Sequence, residues 1–501
     1  MEKDKNAIAV PPPVDHREWS RRCLAMAVAR LRFLDKQEEE LVHSQSLKSL
    51  KEIGVLVRSH PVLKTLSDAG AEVDMKTGIA KIPEHMVKEA LQSVPHRIKL
   101  CGRDPKHDMS LPTETFPNIA TTGLAVYIRD YETGEKRPST RADIAKFVRL
   151  GDALEPVSYC WTSMTARDVP HMSHGVHELW VAMQNTTKHV QGVTLLSAED
   201  SRRQIELGAL VAGGRQELRK RPLFSVICCS IAPLSYEEGA VEGMVEFARA
   251  GVPVVSMSMS LSGGSAPVTM AGTITNANTE NLASLVITQT AAPGAPHVYS
   301  SSSAPIDMRT GGIHYMAAEP ALISAGLGQM AQRYGLPCMV GDWGINDKEE
   351  PGMPHSFSEI VGVFLTTLSG TDLAGGMGGL DAVKGASLEQ MVIDANLWDN
   401  LKAYARHFTF TPETVALDVV KAVGHGNTFL THPHTARLFK KELSFWDPKK
   451  LAWEQTYSDK MVPEAHEIVV KTLKEHKVPE IDKSVLEKGN RMIKDFEKTA
   501  K

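Results

Sequence analysis

The 501-residue chain is 42% hydrophobic, enough to bury one large core or two ordinary ones, which excludes wholesale disorder. Its formal charge of -4 arises from nearly balanced acids and bases, so it offers no electrostatic footprint for nucleic acid or an anionic membrane. Six cysteines without a C-x-x-C spacing exclude a disulfide framework and point to a reducing cytoplasm, and the start MEKDKNAIAVPPPVDHREW lacks the apolar centre of a secretory signal.

Residues 17–65 place Leu31, Leu34, Leu41, Leu47, Leu50 and Ile53 at helical spacing among Glu and Lys, which predicts a helical leader. Over 66–135 the period shortens, and AEVD, IAKIP, HRIKLCG and LAVYIRD read as short strands around one helix at 83–94. Thr140 is placed to cap a helix starting near Asp143. Beyond it, apolar strand candidates at 157–162, 189–195, 223–230, 252–258, 296–300, 336–341 and 371–376 alternate with helical segments at 198–218, 236–250, 277–291, 317–334 and 357–369.

Strands apolar on both faces, alternating with helices, mean a parallel sheet. The count and span approach those of a closed (β/α)8 barrel, about 250 residues before insertions, with an open doubly wound sheet as the alternative. The expected class is therefore α/β, a TIM barrel at 141–435 with an N-terminal helical and α+β extension at 1–140 and C-terminal helices at 436–501. The nearest approach to a membrane span, 360–379, is interrupted by Asp372 and reads better as a buried helix, turn and strand.

Barrel enzymes carry their sites in the loops at the carboxyl ends of the strands. Four such loops here, at 259–273, 301–320, 341–359 and 376–387, are rich in Gly, Ser and Pro. The third, GDWGINDKEEPGMPHSFSE, ends an apolar run in aspartates, a tryptophan, prolines and a histidine. Irregular backbone of that length needs solvent or a ligand for its polar groups, which marks it as functional. Cys228 and Cys229 point to opposite faces of one strand and read as core. His432 and His434 would share one side of an extended segment, but two histidines without a third ligand make a weak metal site.

KSLKEIGVLV, GAEVD, GIAKIPEHMVKEAL, GRDP at 102–105, DYETG at 130–134, APVTMAGT at 266–273, TGG at 310–312 and HPHTARLF at 432–439 together resemble the trimethylamine methyltransferase superfamily. The resemblance runs from about residue 25 to the end. It implies a (β/α)8 barrel that moves a methyl group from a methylated amine to the cobalt of a separate corrinoid protein, in the cytoplasm, within methylamine metabolism of the methanogenic or acetogenic kind. Founding members carry pyrrolysine in the loop after the sixth strand. Residues 345–348 match the element preceding it, which puts the special position near Gly352, or at Pro354 if Glu359 is the anchor. An ordinary residue stands at either place, so the chain resembles the branch without pyrrolysine, whose substrates are quaternary amines.

A quaternary ammonium needs no general acid to leave as a neutral amine. Such a site needs aromatic faces for the cation, each contributing roughly 0.5–2 kcal/mol when dry. Trp343, Tyr299, Tyr315 and Phe357 are the candidates, with Asp342 and Asp307 adding charge and His355 placed to hold a substrate carboxylate. Gly376, Gly378 and His434 are the candidates to face the corrinoid, Gly378 and its neighbours through close backbone approach. Glycine betaine is the expected substrate, with proline betaine, carnitine, γ-butyrobetaine and choline as alternatives. A cognate corrinoid protein is the expected partner, self-association is compatible with the sequence, and no tightly bound metal is expected. A metal-dependent barrel lyase or hydrolase and a non-catalytic betaine-binding protein are the competing readings.

Overall fold

The computed structural model describes residues 31–315, 317–342, 347–352, 357–405, 410–443 and 460–499. Eight parallel strands close into a barrel: β1 (Asn118–Thr121), β2 (Tyr159–Trp161), β3 (His189–Gly192), β4 (Phe224–Cys229), β5 (Val254–Ser258), β6 (His297–Ser301), β7 (Cys338–Asp342) and β8 (Leu373–Met377). Helices α1 (Arg141–Ala153), α2 (His174–Asn185), α3 (Ala198–Ala212), α4 (Glu238–Ala250), α5 (Met270–Ala291), α6 (Glu319–Arg333), α7 (Phe357–Ser369) and α8 (Leu388–Ala405) follow the strands in turn. This is the (β/α)8 architecture that the strand and helix alternation predicts.

Seven of the strands lie where the apolar runs place them. The eighth, Asn118–Thr121, lies inside the segment assigned to the N-terminal extension, so the barrel starts before residue 141. Counted from it, the 341–359 stretch follows the seventh strand rather than the sixth. Residues 360–379 run through the rest of α7, a turn and β8, the helix, turn and strand expected of them, buried from Thr366 onward while Val361 is exposed. Among the described residues no helix is long and apolar enough to cross a membrane.

Side chains alternate between the two sides of each strand. Ala120, Tyr159, Trp161, Ile227, Val255, Met257, Val298, Met339 and Leu373 point inward and form one buried cluster. The hairpin Ile98–Leu100 and Met109–Leu111 adds Ile98, Leu100, Met109 and Leu111 to that cluster. It sits at the amino ends of the strands, where Cys101 N–H donates to Pro222 O at 2.9 Å and the Cys101 carbonyl meets His189 Nδ1 at 3.0 Å. That end is plugged, and a ligand must enter from the carboxyl ends.

The leader is helical over Lys36–Glu52, started by an Asp35 and Glu38 capping box. It packs along α5, which is buried for most of its length. Thr140 is the N-cap of α1, with its N–H donating to Asp143 at 2.9 Å. The C-terminal helix Lys483–Thr499 lays Ile493 and Phe496 on Val176 and Trp180 of α2 and Leu207 of α3. Trp180 Nε1 donates to Asn490 Oδ1 at 2.9 Å. Of the described residues, 114–116, 402–405 and 410–443 belong to a second, smaller unit containing the helices Pro412–Val415, Leu417–Val423 and Pro433–Glu442.

Gly489 lies against the Trp180 ring so closely that an added Cβ would overlap it. Gly489→Ala is expected to lower stability by about 1–3 kcal/mol. Urea denaturation of the variant measures this, with methyl transfer per folded molecule unchanged because the contact is outside the barrel.

Candidate functional site at the barrel mouth

The carboxyl end of the barrel is built in layers. Trp161 of β2 fills one side of the interior, with its six-membered ring against Gly123 and Gly375. A Cβ on Gly375 would stand 2.5 Å from Trp161 Cζ2, and one on Gly123 would overlap the ring outright. These two glycines are the space the indole occupies. Above it Val193, Cys229 and Met259 are partly exposed and pack on the core cluster. Beside Trp161, its register partner Gln191 on β3 is fully buried.

The ends of β4, β5 and β6 carry serines, and a buried carboxylate organises them. Glu280 of α5 accepts from Ser230 Oγ at 2.5 Å, Ser258 Oγ at 2.7 Å, Leu234 N–H at 2.9 Å and Asn276 Nδ2 at 3.0 Å. Ser258 and Ser260 hydroxyls meet at 3.1 Å, Ser301 Oγ donates to Ser258 O at 3.1 Å, and Ser260 N–H donates to Ser303 Oγ at 3.0 Å. Four donors on one carboxylate are the pattern that allows such a group to be buried. Under the neighbouring loops, burial pushes Glu178 of α2 and Asp200 of α3 each up to about 7.

Strands β7 and β8 both end in register shifts. Gly341 has φ +89 and lies against Thr366; Gly376 has φ +143 and is the residue skipped between Gly375 and Met377 in the pairing with β1. Bulges of this kind re-aim the chain at barrel rims.

The loop beyond β7 is fastened by a short chain of hydrogen bonds. Gly352 N–H donates to Gln390 Oε1, Gln390 Nε2 to Asp394 Oδ1, and Gly378 N–H to Asp394 Oδ2, each at 2.8 Å. Burial pushes Asp394 up to about 7. On the same loop, Arg129 pairs with Glu350 at 2.6 Å, Lys136 with Glu349 at 3.2 Å, and Asp381 N–H donates to Lys348 O at 2.7 Å.

Against this geometry stand the known proteins. The family model described as trimethylamine methyltransferase matches residues 5–499. A trimethylamine methyltransferase from Desulfitobacterium hafniense is 35% identical over 400 residues, 79% of this chain and 80% of the relative. One from Methanosarcina thermophila is 31% identical over 468 residues, 92% of this chain and 97% of the relative. The chain belongs to the trimethylamine methyltransferase family. It is thus a methyltransferase. A glycine betaine methyltransferase from Desulfitobacterium hafniense is 26% identical, covering 85% of this chain and 88% of the relative. The solved monomethylamine methyltransferase from Methanosarcina barkeri, at 13% identity and TM-score 0.51 over 89% of both chains, shares the fold.

Within this family member the expected site residues fall in different places. Trp343, Pro354 and His355 lie outside the described residues, as do the side chains of Asp342, which ends β7, and Phe357, which opens α7. Tyr299 does not reach the mouth. It points outward into the helix layer, fully buried, with its hydroxyl donating to Asn278 Oδ1 of α5 at 3.0 Å. The reason is parity: Val298, its neighbour on β6, takes the inward position.

Asp307 is not a free charge for a cation, because it closes its own turn. It accepts from Arg309 N–H at 2.8 Å and from Arg309 Nη2 at 3.0 Å, and Arg309 holds its carboxyl well below the usual range. Half-buried Tyr315 follows His314, whose ring lies 3.4 Å from Asp307 and 4.0 Å from Asp347. His314 therefore joins the loops after β6 and β7, a role that an isolated loop histidine did not advertise.

Gly378 is buried, with φ +85 and Phe147 2.7 Å from any added Cβ, so packing and backbone conformation by themselves require a glycine there. Gly376 is buried as the bulge residue. His432 is not in an extended segment with His434. It caps the helix Pro433–Glu442, accepting from His434 N–H at 3.2 Å. In the smaller unit the two histidines line a cavity of about 780 Å³ with Leu417, Val419 and Arg437. Among the described residues no three His, Cys, Asp or Glu side chains cluster as metal ligands.

Glu280→Leu strands four donors and is expected to cost on the order of 3 kcal/mol, read as a fall in urea midpoint. For Asp394 the sign follows from its raised value. The folded state holds a proton that the unfolded state gives up near pH 4, so the contribution to stability falls as pH rises from about 4 to about 7. The melting temperature of the wild type relative to Asp394→Asn should decline across that window and level off above it. Thermal scans at half-unit pH steps measure the difference, and a difference that grows with pH is the contrary result.

Proposed function

We propose that this methyltransferase moves a methyl group from a quaternary amine, with glycine betaine the best single candidate, to the Co(I) of a corrinoid carried by a cognate protein. The Co(I) electron pair forms the bond to the methyl carbon, the C–N pair stays on nitrogen, and a neutral tertiary amine leaves. No proton is required, so no general acid has to be found among the residues. The chain's task is to hold one methyl about 3–3.5 Å from the metal, which supplies rate as orientation.

The observation that carries the reading is the ordinary residue at Gly352 in a chain matched to the family over residues 5–499. Gly352 is tied to Gln390, has φ +158, and a Cβ built on it would meet nothing within 4 Å. Pyrrolysine in the family members that the sequence resembles would stand near that position. A substrate carrying its own fixed charge makes a special residue there unnecessary. Trp343, Tyr315 and Phe357 are proposed to face the cation, with Asp342 adding charge.

A second reading keeps trimethylamine as the substrate, favoured by the 31–35% identity to relatives bearing that name against 26% to the glycine betaine enzyme. A panel of glycine betaine, proline betaine, carnitine, γ-butyrobetaine, choline and trimethylamine, with loss of Co(I) absorbance as readout, separates them. Turnover of a quaternary amine and none of trimethylamine is expected. Turnover of trimethylamine alone selects the second reading, and no consumption of Co(I) with any amine, on free cobalamin or on a corrinoid protein, overturns both.

A further inference from the structure

The barrel interior holds polar capacity that its own residues leave unused. Gln191 is fully buried, yet both its Oε1 and its Nε2 lack hydrogen-bond partners. It occupies an inward position on β3, with Trp161 of β2 and Ser225 of β4 as its register partners. Trp161 Nε1, also buried, has no hydrogen-bond partner. In an apolar core an unpaired carboxamide is among the costlier choices, and Leu or Met would fill the same volume without the penalty. The next inward residue on β3, Val193, is partly exposed, so Gln191 lies one step below the mouth.

Direction follows from the reaction. A methyl group handed to an acceptor on another protein must face the open end of the barrel. The opposite arm of the same substrate then points down the axis, because the far end is plugged by the Ile98–Leu111 hairpin.

Resting on the methyl-transfer reading, we propose that Gln191, with Trp161 beside it, is the specificity determinant for that arm and hydrogen-bonds an oxygen on it. The carboxamide donates from Nε2 and accepts at Oε1, and the indole adds a second donor. A neutral pair of donors suits the carboxylate of a zwitterion, whose charge is balanced by its own ammonium, or a hydroxyl, which can also donate to Oε1. A quaternary amine without oxygen leaves these groups unpaired and is selected against. The substrate class is therefore a quaternary amine bearing an oxygen on its non-methyl arm.

Calorimetric titration of the full-length protein with glycine betaine, choline and tetramethylammonium tests this without any turnover. The wild type should bind one of the two oxygen-bearing amines at least tenfold more tightly than tetramethylammonium, and which one it is separates carboxylate from hydroxyl. Gln191→Met should erase most of that preference and leave tetramethylammonium affinity unchanged, while Trp161→Phe should reduce it partly. Equal binding of all three by the wild type, or a preference that survives Gln191→Met, overturns the inference.

Should either variant fail to fold, a crystal structure of the unmodified protein with the preferred amine decides. A substrate oxygen within hydrogen-bond distance of Gln191 supports the assignment; an ordered water there, with the arm elsewhere, refutes it. A retained preference in titration without Co(I) consumption would overturn the methyl-transfer reading alone. Turnover with unchanged KM in Gln191→Met would overturn this inference alone.

Discussion

Closure of eight parallel strands is the constraint from which the rest of this molecule follows. A closed sheet has no edges, and its interior can be filled only by the side chains that point into it. Filling is therefore a matter of volume matching. One large residue, Trp161, is accommodated by two positions with no side chain, Gly123 and Gly375, and the amino end is sealed by a hairpin from the N-terminal region. Loops at the carboxyl end are what remains free to vary.

Those loops are irregular and rich in serine and glycine, and rigid polar side chains from the surrounding helices anchor them. Glu280 gathers the ends of β4 and β5, and Asp394 with Gln390 gathers the turn after β8 and the loop after β7. In each case a buried acid on a helix accepts N–H or O–H groups that no strand ladder could satisfy. Helices of the outer ring thereby reach through to shape the mouth while the barrel wall stays regular.

Much of this architecture was legible in the residues, and the gaps have physical causes. Seven strands announced themselves as long apolar runs, whereas Asn118–Thr121 is short, half polar and embedded among small extension strands. A strand buried on both faces carries no alternation to tell inside from outside, which is why Tyr299 read as a mouth residue and turned out to face α5. Asp307 and Gly378 were recognisable as unusual, but their uses, a turn closed by Arg309 and a tight fit to Phe147, depend on partners that spacing does not reveal. Gln191 carries a signal of its own in the sequence: a carboxamide in the middle of HVQGVTL, a run that reads as a buried strand, where burial makes it expensive.

The extra residue at Gly376 and the slipped pairing near Gly341 also bear on how such an enzyme could change over time. Each irregularity absorbs a shift in chain path before the loop begins, so insertions or replacements beyond it do not propagate into the ladder. The described residues of the segment are seated on Gln390, Arg129, Lys136 and Asp381, none of which belongs to a barrel strand, so its anchors are separate from the ladder. One scaffold can then carry different amine chemistries by swapping a few residues at its rim, with the cost of refolding the barrel never incurred.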